Sequence, residues 1–282
     1  VAWVVAPECS GAYHHSKYSF RIMELRIMAS PGVQSVDRAL DLLEALGEAE
    51  RSLSLAEVAQ RTGLTPPTAH RLLRTMQARG YVNQHASREY SPGPALIALG
   101  RKATPALAVL AQPVLAELEE ISGETANLAV LDRDLVAYVA QVPSRHRMRM
   151  FTEVGRQVLP HASGVGKAIL STLPESKVRS IIQHTGLPRY TPSTITDEAA
   201  FFAELRESRR RGFAIDDGEQ EVGVRCIAVA LPAQASVSGL GAAAVSISGP
   251  AARVTEAESA RYIEALQHAA ARLSSARGSL DE

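Results

Sequence analysis

Apolar residues near the start of the chain recur at the spacing of a helix. The first stripe, with intervals of three and four residues, consists of Val33, Val36, Leu40, Leu43 and Leu46. A second helix is predicted to begin at Ser54, because Ser54 and Glu57 have the spacing of a capping box. Only a few residues separate its end at Gly63 from a third predicted helix at residues 65–79, so these segments predict a helix-turn-helix.

The third predicted helix has an apolar side and a cationic side. The apolar stripe contains Ala69, Leu72, Leu73 and Met76. The opposite side contains Pro67, His70, Arg71 and Arg74. Thr65 and Pro66 suit the first turn of a helix, and Gly80 suits its end. The segment has no acidic residue, although the whole chain balances 30 basic against 30 acidic residues, so the positive charge is local.

Two strand-like segments, at residues 81–84 and 88–90, follow this helix and predict a hairpin. Together they predict a winged helix-turn-helix, whose third helix enters the major groove of DNA. We expect Arg71 and Arg74 to include the base-reading side chain, since arginine can bind guanine edges or phosphate. The predicted DNA-contacting set is Thr65, Pro67, Thr68, His70, Arg71, Arg74 and Arg88, of which Thr65, Thr68 and Arg88 are assigned to phosphate. For the third helix alone, an arginine-rich surface on an ordinary three-helix domain is the alternative.

The rest of the chain mixes strand and helix patterns. A Ser-Pro-Gly-Pro cluster at residues 91–94 marks a boundary, after which a linker helix is predicted at residues 95–102. Strands are predicted at residues 126–131, 135–142, 145–151, 224–231 and 242–248. Helices are predicted at residues 114–121, 164–173, 175–184, 197–211 (capped by Thr196) and 255–277. This order predicts an α+β fold with an antiparallel sheet in the second domain.

Bulk composition narrows the class of protein. With 46% hydrophobic and 21% charged residues and zero net charge, the chain of 282 residues is expected to be a soluble protein of about two domains. Two distant cysteines, Cys9 and Cys226, predict neither a disulfide framework nor a metal cluster, and a reducing cytoplasm fits best. No run reaches the roughly 18 apolar residues of a membrane span, so no membrane partner is expected.

A glycine-containing segment, Ser-Gly-Val-Gly-Lys at residues 163–167, resembles a phosphate loop but fails its pattern. His161 stands where the first glycine is required, and Ala168 stands where serine or threonine is required. Nucleotide binding is therefore not expected, and no cofactor is predicted. Free amides at the start of the following helix could still bind a small anion such as a carboxylate. The alternative is that the glycines only allow close packing of helix on sheet.

Two features suit an enzyme. Cys226 lies in an apolar strand, where a cysteine more often packs in the core than acts as a nucleophile. Asp216 is followed by Asp217, Glu219 and Glu221, and paired carboxylates serve acid–base catalysis or metal binding, although a solvated loop is equally ordinary.

Five stretches resemble the IclR family of transcription regulators, in the family's order. They are VQSVDRALDLLEAL, SLAEVAQRTGLTPPTAHRLLRTMQARGYV with YSPGPALIALG, VLPHASGVGKAIL, GFAIDDGEQEVGVRCIAVAL and AAAVSISGP, spanning residues 33 to about 275. The resemblance implies a GAF-like effector-binding domain, dimers or tetramers, and ligand-controlled transcription. The expected organisation is a disordered tail or mis-assigned start (1–31), a winged helix-turn-helix domain (32–92), a linker helix (93–104) and an effector-binding domain (105–278).

The resemblance also implies an effector site. Its residues here are Met150, Val158, Gly164, Val165, Asp216, Val224, Cys226 and Ser246. Arg147 stands where some members have an apolar residue, which suggests a more anionic or bulkier effector. If residues 145–151 form a strand, however, Arg147 and Met150 face opposite sides, which weakens that suggestion.

The sequence therefore predicts a one-component regulator with no catalytic or metal-binding residues. It is expected to repress a nearby catabolic operon, to bind a pseudo-palindromic operator in double-stranded DNA as a dimer or tetramer, and to sense a small organic acid. The rivals are a small-molecule enzyme that uses Cys226 or the Asp216 cluster, and a DNA-binding protein without ligand control.

Overall fold

The computed structural model describes residues 33–103, 106–150, 153–232 and 242–278. The predicted tail at residues 1–31 lies outside these ranges. The predicted boundary between the linker helix and the effector domain, at residues 104 and 105, also lies outside them.

The N-terminal region is a three-helix unit with a hairpin. Its elements are α1 (Gln34–Gly47), α2 (Leu55–Thr62), α3 (Pro66–Ala78), β1 (Val82–Gln84), β2 (Tyr90–Pro92) and α4 (Ala95–Ala103). Helix α2 begins with the predicted capping box, in which the Ser54 hydroxyl accepts from the Glu57 amide and the Glu57 carboxylate accepts from the Ser54 amide. Leu46, Val58 and Leu73 meet in one buried core, so the predicted helix-turn-helix is confirmed.

The C-terminal region is an antiparallel sheet covered by helices. Its helices are α5 (Ala106–Ser122), α6 (Gly164–Thr172), α7 (Glu175–Thr185), α8 (Glu198–Arg211) and α9 (Glu256–Gly278). Its strands are β3 (Thr125–Asp132), β4 (Leu135–Val142), β5 (Gln157–Val158), β6 (Ala214–Asp217), β7 (Val224–Ala230) and β8 (Ala243–Pro250). They pair in the order β5-β4-β3-β8-β7-β6, and every pair is antiparallel, which confirms the predicted α+β class.

The two faces of this sheet pack differently. Helices α5 and α9 cover one face with a large core that includes Leu115, Ile227, Val245 and Leu266. Helix α6 covers part of the other face, where Val165 and Ile169 pack against small residues of the strands. Because side chains alternate along a strand, each strand sends every second residue to α6.

Three details of the prediction were wrong. Residues 145–150 form bends and irregular backbone rather than a strand, so the argument from opposite strand faces fails for Arg147; Phe151 lies outside the described residues. Strands β5 and β6 were missed, because each is only two to four residues long. Helix α8 is capped by Asp197 rather than Thr196: the Asp197 carboxylate accepts from the Ala200 amide at 2.8 Å.

Candidate functional site

The predicted cationic side of α3 is exposed. Pro67, His70, Arg71 and Arg74 are all open to solvent, whereas Ala69 and Leu73 on the other side of the helix are fully buried. The core contacts of α3 therefore turn this side outward as a continuous surface. We call these four exposed residues the cationic side of α3.

The first turn of α3 is short of backbone donors. Pro66 and Pro67 have no N–H, so Thr68 supplies the first free amide of the helix. Thr65 occupies the N-cap position without a side-chain cap bond, and its hydroxyl lies 3.0 Å from the Thr68 hydroxyl. The Thr68 amide and these two hydroxyls form a compact group of donors suited to one phosphate oxygen.

The hairpin of β1 and β2 carries the seventh predicted DNA contact, Arg88. This residue has a left-handed backbone with φ +65° at the hairpin turn, and its amide donates to the His85 carbonyl at 2.9 Å. The Arg88 side chain is exposed. Arg88 therefore occupies the tip of the predicted wing.

Polar residues line up across the sheet on the face toward α6. The strand register places Gln141, Asn127 and Ser246 side by side, and beside them a second row. This second row runs through Thr125, Ser248, Cys226 and Asp216. We call these two lines of residues the polar rows. Six of their seven members, on β3, β6, β7 and β8, are buried: Cys226 is 4% exposed and the other five at most 2%. The seventh, Gln141 on β4, is half-buried.

Side-chain hydrogen bonds link the first row. The Gln141 amide donates to Asn127 Oδ1 at 3.0 Å. The Asn127 amide is 3.4 Å from the Ser246 oxygen and 3.5 Å from the Ser248 oxygen, which are long distances for hydrogen bonds. The Asn127 amide is therefore only weakly bound by the two serines, whose side chains also hydrogen-bond with Cys226.

Helix α6 covers the apolar half of this face and begins at the polar half. Ala168 and Ile169 pack among Ala129, Ala228 and Ala244, while Gly164 lies against Cys226. A Cβ atom on Gly164 would lie 2.8 Å from Cys226 Sγ, so this glycine is required for the close approach. The helix start thus lies beside the second polar row.

The start of α6 offers backbone donors to that row. Ser163 caps the helix by accepting from the Gly166 amide at 3.2 Å. The Gly164 and Val165 amides belong to the first turn, where helix geometry provides no intrahelical acceptor. These donors and the positive end of the helix dipole suit an anion.

Burial changes the protonation of the two titratable residues in the second row. It raises the pKa of the Asp216 carboxyl to about 7, although the Glu219 amide at 2.7 Å acts in the opposite direction. It also raises the pKa of the Cys226 thiol to about 11, and the charge of Asp216 adds to this effect. Cys226 is therefore a protonated thiol at neutral pH, which is a poor nucleophile.

The predicted effector residues fall into two groups. Gly164, Val165, Asp216, Cys226 and Ser246 come together at the polar rows and the helix start. The other three lie at the margin of this face: Val158 on the edge strand β5, Val224 at the first position of β7, and Met150 in the bent segment after β4. All three are half-buried.

Four residues of the polar rows were not predicted: Thr125, Gln141, Asn127 and Ser248. Asn127 and Ser248 occur at the same alternation as Thr125 and Ser246, so each sends its side chain to the same face. A polar residue at every second position of an otherwise apolar strand was a signal that could have identified them.

Other kinds of site find no support. Among the residues that the structure describes, no cluster of three His, Cys, Asp or Glu side chains could hold a metal ion. No described helix is long and apolar enough to cross a bilayer. A groove of about 460 Å³ lies between α7 and α8, away from the polar rows, and Arg179 in it is paired with Glu175 and Glu198.

Two family profiles match the chain along nearly all of its described length. Residues 35–86 match the profile described as "IclR helix-turn-helix domain", and residues 104–275 match "Bacterial transcriptional regulator IclR C-terminal". The chain belongs to the IclR family of transcription regulators. As a member of this family, the chain has a DNA-binding region and a ligand-binding C-terminal domain. The enzyme alternative is excluded, because the matching domains and the related proteins are transcription regulators.

Individual relatives extend this assignment over most of the IclR-family chain. The "Transcriptional repressor IclR" of Escherichia coli (strain K12) is 38% identical over 81% of this chain and 84% of its own length. The "Acetate operon repressor" of Salmonella typhimurium is 39% identical over 79% and 82%. The crystal structure of Thermotoga maritima IclR covers 87% of this chain and 99% of its own, with a TM-score of 0.73 and 26% identity.

Proposed function

We propose that this chain is a ligand-responsive repressor of a nearby catabolic operon that senses a small organic acid. The observation that carries the effector half of the proposal is the buried polar rows beside the start of α6. Removing polar groups from water costs free energy, and the long contacts of Asn127 recover little of it, so a sheet face that served only packing would be apolar there. A bound ligand would give these buried groups hydrogen-bond partners.

The expected effector is a small carboxylic acid. Its carboxylate would accept from the Gly164 and Val165 amides, while the serines and Asn127 would bind a second oxygen atom. Asp216, with a pKa of about 7, can be neutral near physiological pH and would then donate to the ligand rather than repel it. The name of the Salmonella relative, "Acetate operon repressor", supports an operon of acid metabolism.

The DNA half of the proposal assigns the cationic side of α3 to the major groove. Arg71 and Arg74 would include the base reader, with Thr65, Thr68 and Arg88 at phosphates. A dimer would read two half-sites about one helical turn, or a multiple of it, apart. Binding is expected to weaken strongly with salt, because arginine contacts release counterions from the phosphates.

Exposed apolar residues support self-association. On α1 and just before it, Val33, Val36 and Leu40 are 68%, 54% and 50% exposed, and on α4 Ile97 and Leu99 are 68% and 50% exposed. Large apolar side chains grouped on helices of a DNA-binding unit are typical of an interface between copies. We therefore assign α1 and α4 to the dimer contact, with tetramers as the further level of assembly.

Effector control needs a difference in affinity between two arrangements of the dimer. A preference of about 1–3 kcal/mol changes operator affinity by roughly 5- to 150-fold. Helix α4 follows the wing directly in sequence, so it is the element through which we expect the effector domain to act.

The test combines an operator assay with a ligand screen. Purified protein is titrated onto its own upstream intergenic DNA by fluorescence anisotropy, and thermal-shift assays screen glyoxylate, pyruvate, allantoin-type acids and aromatic acids. We expect one acid both to raise the melting temperature and to change the operator affinity. Uniformly flat melting temperatures would count against the sensing pocket, and the absence of any preference for the upstream DNA would count against the regulator.

A further inference from the structure

Lys167 is a buried charged residue on α6, the helix whose first turn belongs to the proposed effector site. The residue is 1% exposed on α6, one turn after the Gly164 and Val165 amides. Its ammonium donates to the Glu219 carboxylate and lies 3.7 Å from Glu204 Oε1. A methionine could fill the same space without the cost of removing two charges from water, so packing alone does not explain the ion pair.

Glu219 connects this ion pair to Asp216. The Glu219 backbone amide donates to Asp216 Oδ1 at 2.7 Å, and the Gln220 amide approaches the same oxygen at 3.4 Å. On the other side of the turn, the Thr191 hydroxyl donates to the Gly218 carbonyl at 2.7 Å. The turn after β6 is therefore held at two residues. The Gly218 carbonyl accepts from Thr191, and the Glu219 side chain binds Lys167.

The ion pair thus joins the two sides of the polar rows. Lys167 lies on the helix whose first residue, Gly164, packs against Cys226 of the second row. Glu219 lies in the turn whose amides bind the acidic residue of that row. Glu204 extends the arrangement to α8, where Arg211 binds it at 2.8 Å. Lys167 is consequently flanked by two carboxylates, and one of them has its own second cation.

We propose that Lys167 and Glu219 are a positioning pair that fixes the Asp216 carboxyl relative to the start of α6. Their role in effector binding rests on the proposed function, whereas the positioning itself can be measured without an effector. The pair acts through the backbone amides of residues 219 and 220, and Asp216 remains the residue that faces the ligand.

The test uses hydrogen exchange by mass spectrometry on the full-length protein without ligand. In Lys167→Met, we expect peptides covering residues 214–223 to exchange about tenfold faster or more, while peptides from the central strand β8 stay protected. The matched control is Lys177→Met, which removes an exposed lysine paired with Asp134 at 4.0 Å and should leave residues 214–223 unchanged. Unchanged protection in a folded Lys167→Met protein overturns the proposal.

A second variant separates positioning from packing and also serves if Lys167→Met does not fold. Lys167→Met/Glu219→Leu removes both charges, so the folded state no longer contains an unpaired buried carboxylate. We expect this variant to regain a melting temperature near the wild-type value while residues 214–223 continue to exchange rapidly. If wild-type protection of this segment returns together with stability, the pair is only a core contact and the proposal is wrong.

These readouts distinguish two kinds of failure. A screen in which no acid binds removes the proposed effector role but leaves the exchange results interpretable. If pyruvate or another acid binds the wild-type protein, the charge-free double variant should bind it at least about tenfold more weakly at equal stability.

Discussion

The cationic side of α3 is open to solvent, whereas the polar rows of the sheet are almost completely buried. On α3, the arginine side chains are hydrated and free to bind a strongly charged partner, so they need few contacts from neighbouring residues. In the sheet, the buried polar groups have lost their water and depend on strand register, long hydrogen bonds and the start of α6. An exposed site can therefore be removed without affecting the fold, while a buried site is part of the fold's stability.

The largest expected effect is on DNA binding. Arg71→Ala/Arg74→Ala should reduce operator affinity by roughly 100-fold or more, since a bidentate base contact contributes about 1–3 kcal/mol. The melting temperature should change little, because both side chains are exposed. Fluorescence anisotropy with the upstream DNA measures the affinity.

The matched control for this variant is Arg206→Ala, which removes an exposed arginine of α8. Operator affinity should be unaffected by that change. Equal affinities of the double variant and the control would show that α3 does not read the operator.

The next largest effect concerns the contact between α6 and the sheet. Gly164→Ala places a methyl group 2.8 Å from Cys226 Sγ, so either α6 or β7 must move. We expect a loss of about 1–3 kcal/mol in the free energy of unfolding, as for other overpacked cores, and weaker binding of any acid found in the screen. Denaturant unfolding measures the first and thermal shift the second.

Two further variants check the cause. Gly47→Ala introduces the same methyl group at the end of α1, where no atom lies within 4 Å, and should not destabilise the protein. Adding Cys226→Ala to Gly164→Ala should recover part of the lost stability. If it recovers none, the contact between Gly164 and Cys226 is not the source of the loss.

The contrast between the two regions explains what the sequence could predict. The cationic side of α3 could be read directly, because helix period alone separates Arg71 and Arg74 from Leu73. In the sheet, alternation can group residues of one strand, and the family resemblance assigned Asp216, Cys226 and Ser246 to one site. Only strand order shows that Asp216, Cys226 and Ser248 are neighbours. Those residues are separated by up to 32 positions in sequence, and no local pattern encodes their register.

The erroneous strand at residues 145–151 has a similar explanation. Alternating arginine and methionine suits a strand, yet this segment is held by contacts made from elsewhere in the chain. The Ser144 amide donates to Thr125 Oγ1 at 3.2 Å, and the Arg253 guanidinium donates to the Met148 carbonyl at 2.8 Å. Tertiary hydrogen bonds therefore overrode the local pattern, as strand propensity depends on context.

An effect on stability of similar size, but limited to one range of pH, is expected from the charge of Asp216. Its carboxyl keeps a proton up to about pH 7 in the folded protein, whereas an unfolded aspartate loses it near its ordinary pKa. Between these values the folded state binds more protons, so this group's contribution to stability falls as pH rises. Asp216→Asn removes this dependence and should gain roughly 1–3 kcal/mol relative to wild type between pH 5 and pH 8.

Denaturant unfolding at several pH values measures this difference. Asp217→Asn is the matched control, because Asp217 is exposed at the next position and pairs with Arg225 at 3.3 Å. Its stability should show no comparable gain with pH. If the free energies of unfolding of Asp216→Asn and wild type changed in parallel with pH, Asp216 would be charged in the folded protein. In its charge state, this buried carboxyl would then resemble the exposed charged groups of α3.

The smallest effect is predicted for Cys226→Ser, which changes one buried atom of the second polar row. Sulfur and oxygen occupy similar positions, so the fold and operator affinity should remain, whereas the concentration of acid needed to change operator affinity should shift by about tenfold or less. Operator anisotropy titrated with the acid from the screen measures both quantities in one experiment. Loss of folding would assign Cys226 to core packing, and an unchanged effector response would remove it from the site. Either result would decide whether the side chain of Cys226, which lies between Gly164 and the two serines of β8, serves packing or ligand binding.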